Sequence, residues 1–111
     1  MRNYILDKNK QPIACDVKTY YEWHDSLPSE NKTGLGYTVI REQVGEAYVS
    51  TVFLGVDHRF NEDKPVLWET MIFWPNGAEE CERYMSEADA IAGHQRIVEQ
   101  LKLKQPRKDT Q

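Results

Sequence analysis

Long apolar runs are missing from this chain. None approaches the ~20 consecutive residues that a bilayer-spanning helix needs, so no membrane-spanning segment is expected. Basic charge is also short. Lys and Arg number 14 against 18 Asp and Glu, which leaves a net charge of −4 and a pI near 5.3. Binding along a phosphate backbone draws on a concentrated cationic surface. The one basic cluster here, Lys102, Lys104, Arg107 and Lys108, falls at the C-terminal end. Nucleic acid is therefore excluded as the main partner, and residues 105–111 are expected to form a flexible basic tail. Cysteine is scarce. Cys15 and Cys81 are the only two, far apart and outside any Cys-x-x-Cys pair. That excludes a disulfide framework and suits reduced thiols in a cytoplasmic protein. The first residues, Met1-Arg2-Asn3-Tyr4-Ile5-Leu6-Asp7, run into charge instead of an apolar stretch, so no secretory signal is expected. No Gly-rich phosphate loop, nucleophile elbow, internal repeat or low-complexity segment occurs, and no cofactor is expected.

What is present suits one modest core. The chain has 111 residues, 40% hydrophobic and 11% aromatic, enough for a single domain over residues 1–104. Tyr4-Ile5-Leu6-Asp7 and Pro12-Ile13-Ala14-Cys15 flank a polar linker and predict a loose hairpin. Asp16 is placed to cap a helix over 17–27, in which Tyr20, Trp23, His24 and Leu27 recur at helical spacing. Two strands, 37–44 and 47–54, meet across Gly45-Glu46, where a leading Gly suits a type II′ turn. A third strand covers 66–74 and stops at Pro75-Asn76-Gly77. Ser86-Glu87-Ala88-Asp89 resembles a capping box. It opens a last helix with Ala90, Ile91, His94, Ile97, Val98 and Leu101 on one face. The expected fold class is α+β: an antiparallel sheet of three central strands plus the N-terminal hairpin, packed with two helices.

Several residues are candidates for chemistry. Pairing Val56 with Val66 sets Phe53 opposite Glu69 and Thr51 opposite Met71, and Glu69 then lies among Leu67, Met71 and Phe73. A carboxylate in such company is at the exposed side of the sheet, in a binding or catalytic role, or in an ion pair with Arg41 or Arg83. Phe53, Met71 and Phe73 share that face, and Trp68, Trp74, Thr70 and Ile72 the other. Two helices need cover only one face, which leaves the second for an aromatic-lined pocket or a self-association surface. Asp57 and His58 end a strand, where functional side chains are common. Alternation points them to opposite faces, which disfavours a simple dyad and leaves loop capping as the plainer role for Asp57. His94 lies on the apolar helix face as a satisfied core residue or a ligand-contacting one. Gly93 beside it marks a close approach or a tolerated poor helix former. His24, His58 and His94 with Asp57 or Glu69 give the count for a zinc site but not the spacing, so no metal is expected.

At 49–58, 69–71, 83–84 and 93–94 the chain carries Val-Ser-Thr-Val-Phe-Leu-Gly-Val-Asp-His, Glu-Thr-Met, Arg-Tyr and Gly-His. In these segments, in Tyr4-Ile5-Leu6-Asp7 with Pro12, and in the Trp23 helix, it resembles a group of small proteins encoded by bacteriophages and prophages. It departs from that group at Met85, where a Ser or Thr is usual. The group has no assigned activity. The resemblance implies an accessory protein of the bacterial host cytoplasm that acts on a host or anti-phage defence factor, as an inhibitor or by sequestering a small anionic or nucleotide ligand. It carries over Asp57, His58, Glu69, Arg83, Tyr84 and His94 as ligand-binding residues meeting in one pocket, with no catalysis. Two rivals remain. One is a small hydrolase-like enzyme with His58 or His94 as base, oriented by Asp57 or Glu69. The other is an interaction module that dimerises through the exposed sheet face.

Overall fold

The computed structural model describes residues 3–33, 36–57 and 65–104. Strands β1 (Asn3–Leu6) and β2 (Pro12–Cys15) pair antiparallel as a separate two-stranded sheet, with Asn3 opposite Cys15 and Leu6 opposite Pro12. The Asp7 carboxylate shapes their turn by accepting from the Asn9 and Gln11 amides at 2.8 and 2.9 Å. Helix α1 (Val17–Ser26) starts as expected: Asp16 Oδ1 accepts from the Thr19 amide at 2.7 Å, and these bonds hold its carboxyl below the ordinary carboxylate value. A single 3-10 turn (Ser29–Asn31) follows.

Five antiparallel strands then form one sheet in sequence order: β3 (Lys32–Thr33), β4 (Gly36–Val44), β5 (Ala47–Phe53), β6 (Trp68–Phe73) and β7 (Glu79–Tyr84). Gly45 takes φ 60° between Val44 and Ala47, the left-handed first position that a type II′ turn requires. Strand β7 was not foreseen: its alternation is hidden by the exposed Glu79, Glu80 and Cys81. The 18-residue helix α2 (Glu87–Lys104) closes the fold, with Ser86 Oγ accepting from the Asp89 amide.

Register decides which residues face the helices. Phe53 pairs with Trp68, Thr51 with Thr70 and Val49 with Ile72, one residue away from the pairing of Val56 with Val66 that the sequence suggests. Because strand side chains alternate, that single step moves every residue of β6 to the other face. Phe53 thus joins Trp68, Thr70 and Ile72 beneath the helices, and Glu69, Met71 and Phe73 lie on the opposite side. A bulge between Thr38 and Ile40 shifts the β4–β5 register, so that Tyr37 pairs with Phe53, and Thr38 with Val52. Tyr37 and Val39 accordingly pack against the core.

Both helices lie on one face. Toward α1 the buried cluster is Tyr4, Leu6, Phe53, Leu67, Trp68, Tyr84 and Ala90, with Trp23 edge-on to Phe53 at 5.8 Å. Beneath α2 it is Val44, Ala47, Val49, Ile72, Ile97, Val98 and Leu101. The N-terminal hairpin is tied to the sheet by the Tyr4 amide, which donates to the Gly55 carbonyl at 2.9 Å. No helix among the described residues is long and apolar enough to cross a membrane.

Candidate functional site

The sheet offers two polar constellations, one on each face. On the open face, β4, β5 and β6 line a shallow concavity of about 560 Å³ whose walls include Thr38, Arg41, Tyr48, Ser50, Val52, Leu54, Glu69, Met71 and Phe73. Tyr48 and Phe73 are cross-strand partners with ring centroids 6.3 Å apart, and Phe73 is 37% exposed. The charged groups lining the concavity are Lys32, Arg41 and Glu69. Glu69 is already paired: Arg83, directly opposite on β7, donates Nε–H to its Oε2 at 2.9 Å. Arg41 has no ion pair among the described residues. Among the described residues that line the concavity, Arg41 is therefore the charged side chain of β4, β5 and β6 left without an ion pair.

On the covered face a row of hydrogen bonds runs from β7 through β6 and β5 to α2 and back to β4. Tyr84 donates its hydroxyl to Thr70 Oγ1 at 3.0 Å. Thr70 and Thr51 share a bond of 2.5 Å, Thr51 meets His94 Nδ1 at 2.8 Å, and His94 Nε2 meets Glu42 Oε1 at 2.9 Å. With the His94 proton on Nε2, the row is satisfied in one direction. Each hydroxyl donates once and accepts once, apart from Tyr84 at its head, and the row ends on a carboxylate, which only accepts. Thr51, Thr70 and His94 are all 0% exposed, while the Glu42 side chain reaches solvent at 43%. Burial raises the Tyr84 hydroxyl above its ordinary pKa. The adjacent Glu82 adds to that, and the Thr70 hydrogen bond and Arg96 oppose it.

Gly93 makes the row possible. A Cβ there would come within 2.4 Å of the Tyr84 ring and hydroxyl, so the bare helix backbone is what lets the ring lie flat beneath α2. Arg96 of α2 also pairs with Glu82 of β7, beside the same tyrosine.

The sheet thus divides the residues carried over from the resemblance. Glu69 and Arg83 form an ion pair on the open face; Tyr84 and His94 belong to the buried row. The one-residue register step separates Glu69 from His94, and the two share no pocket among the described residues. Asp57 Oδ1 accepts from the Val66 amide at 3.2 Å, a loop-capping bond across the segment it begins. His58 lies outside the described residues, as does the segment 105–111. His24 is a core residue that donates Nε2–H to the Gly36 carbonyl at 3.1 Å and stacks on Tyr20. No group of three His, Cys, Asp or Glu side chains fit to hold a metal occurs among the described residues.

Thr51, Thr70 and Glu42 were not among the sequence candidates. Each of the four resemblance segments nevertheless supplies one member of the row: Thr51, Thr70, Tyr84 and His94. Glu42 carried a usable signal, since it alternates with Ile40 and Val44 and so falls on the covered face. Arranged as carboxylate, imidazole and hydroxyl, Glu42, His94 and Thr51 have the order of a hydrolytic triad. Burial removes the chemistry: a nucleophile must touch its substrate, and Thr51 is closed in by α2. The row acts as a clamp that seats α2 in one register on the sheet. Comparison with protein-family models, with curated proteins and with solved structures finds no match to this chain.

Proposed function

We propose that the protein works by binding and not by catalysis, as a phage-type accessory protein that occupies an acidic segment of a host or anti-phage defence protein on the open face of its sheet. The observation that carries this reading is the open face itself. It joins the apolar side chains of Val52, Leu54, Met71 and Phe73 to Arg41, which has no ion pair among the described residues, and the one carboxylate among its described lining residues, Glu69, is neutralised by Arg83. Apolar patches of this kind mark partner sites on small proteins, and a cationic rim steers an anionic partner into register. The resemblance to phage accessory proteins supports the class of target. It does not bear on the face used.

Photo-crosslinking tests the reading directly. A benzophenone amino acid placed at Tyr48, on the open face, is expected to trap one defined protein in bacterial cytoplasm, and the same group at the outward-facing Gln95 of α2 is expected to trap none. Arg41→Glu should abolish the Tyr48 adduct while leaving the far-UV spectrum unchanged. Equal trapping from both positions, or an adduct indifferent to Arg41→Glu, would sink the proposal.

A further inference from the structure

The five-stranded sheet ends at β3 on one side and at β7 on the other. Strand β3 has 2 residues, whereas β7 runs for 6 without a register shift and contains neither Pro nor Lys. The Trp74 amide donates to the Ala78 carbonyl at 3.0 Å, and the Leu67 amide to the Tyr84 carbonyl at 3.2 Å. Ala78, Tyr84 and the even-numbered residues between them therefore turn their N–H and C=O groups toward β6. Pairing alternates along an antiparallel strand, so Glu79, Cys81 and Arg83 turn theirs outward. Among the described residues no backbone hydrogen bond reaches that edge, and Glu79, Cys81 and Arg83 are all exposed. An open edge of this length is a template for another strand.

We infer that β7 pairs antiparallel with β7 of a second copy of this chain, about a two-fold axis at Cys81, so that one sheet runs through both copies. Charge selects this partner and this register. With Cys81 opposite Cys81, each Glu79 faces Arg83 of the other copy, and opposite charges meet on either side of the axis. Arg83 gives its Nε–H to Glu69, which leaves its Nη groups to reach that carboxylate. The outward backbone groups meet in the same register, Cys81 with Cys81 and Glu79 with Arg83. Glu80 then lies opposite Glu82, but each is already held within its own copy. The Trp74 indole N–H donates to Glu80 at 3.0 Å, and Arg96 pairs with Glu82. A shift of two residues either way sets Glu82 against Glu82, or Glu80 against Glu80, and loses the Glu79–Arg83 pairs. Glu79, Glu80 and Glu82 thus repel an acidic strand, whereas β7 itself brings the counter-charge. None of the described residues lining the open-face concavity lies on β7, so the pairing is independent of that site.

Sedimentation equilibrium of the full chain tests the inference. The mass is expected to rise from the 13.0 kDa of one chain toward twice that value as the concentration passes about 100 μM. Glu79→Arg and Arg83→Glu should each give a monomer alone, because each sets like charges opposite one another across the axis. Mixed in equal amounts they should give a dimer, since every Glu79–Arg83 position then pairs opposite charges again. A purely structural role for either residue would not produce that recovery. Cys81→Pro removes an outward amide and no bond of its own sheet. It should also be monomeric, and it decides the matter if Arg83→Glu fails to fold. A short bis-maleimide is expected to join Cys81 to Cys81 in the parent chain, with a yield unaffected by Cys15→Ser. A single-chain mass up to about 1 mM would overturn the proposal. So would a dimer indifferent to Glu79→Arg and Cys81→Pro, or a mixture of the two folded charge variants that stays monomeric. Tyr48→Ser should leave the dimer intact, and its loss there would place the interface on the open face instead.

Discussion

The two faces of the five-stranded sheet are built from alternate residues of the same strands and have opposite characters. Along β5, Val49, Thr51 and Phe53 are fully buried, and Tyr48, Ser50 and Val52 between them are partly exposed. Polar groups follow the same division. On the covered face every donor and acceptor of the Tyr84–Glu42 row is matched, because an unmatched group there has no water to turn to. On the open face Glu69 and Arg83 pair across neighbouring strands, with the Arg83 side chain 47% exposed, and Arg41 carries its charge into solvent. The covered face is therefore where substitutions should change stability, and the open face is where they should change binding.

That contrast can be broken or sharpened by substitution. The largest effect is expected at Phe53, where Phe53→Ala removes a fully buried ring and should cost about 3–5 kcal/mol in urea denaturation. Phe73→Ala, at the other end of the β5–β6 ladder and on the open face, should cost only about 0.2–1 kcal/mol, the worth of a cross-strand pair. Similar losses from the two would contradict the division. Gly93→Ala comes next. Alanine is the better helix former, yet its Cβ overlaps the Tyr84 ring. The substitution should destabilise by about 1–3 kcal/mol, and a Gly93→Ala variant more stable than the parent would show that Tyr84 does not lie against α2. Thr51→Val keeps the shape and strand preference but leaves His94 Nδ1 and the Thr70 hydroxyl unmatched. A loss of roughly 1–2 kcal/mol is expected, with a double-mutant cycle against Thr70→Val showing strong coupling.

The smallest effect at neutral pH concerns Tyr20, whose buried hydroxyl has no hydrogen-bond partner among the described residues. Burial pushes its pKa from 10.0 up to about 12. Between those values the folded protein holds a proton that the unfolded chain has released, so stability falls as pH rises through that window. Tyr84, also raised by burial, adds to the slope. Tyr20→Phe should leave stability at pH 7 nearly unchanged, because no hydrogen bond is lost, and should flatten the alkaline decline measured by urea titration between pH 10 and 12. An unchanged decline would place the titrating group elsewhere.

Much of this architecture is legible before any coordinates. Asp16, Ser86 and the Gly45-Glu46 turn each act on backbone groups within four residues of themselves. The apolar stripes of α1 and α2 announce which side of each helix is buried. Strand β7 escaped because its exposed glutamates mask its period. Of the candidate site, Glu69 and His94 were each recognisable as polar residues among apolar neighbours, and the Glu69–Arg83 pair was one of the readings open for Glu69. That they serve different faces was not recognisable.

By itself, then, the sequence determined the α+β class, the caps, the first hairpin turn and the apolar helix faces, because each depends on contacts between near neighbours in the chain. Only the tertiary structure decided the pairing of β5 with β6, the bulge at Val39 and hence the occupants of each face. Thr51 reaches His94 across 43 residues and His94 reaches Glu42 across 52. A strand carries no local record of which register such distant partners will select. A slip of one residue leaves its composition and period unchanged while exchanging its two faces.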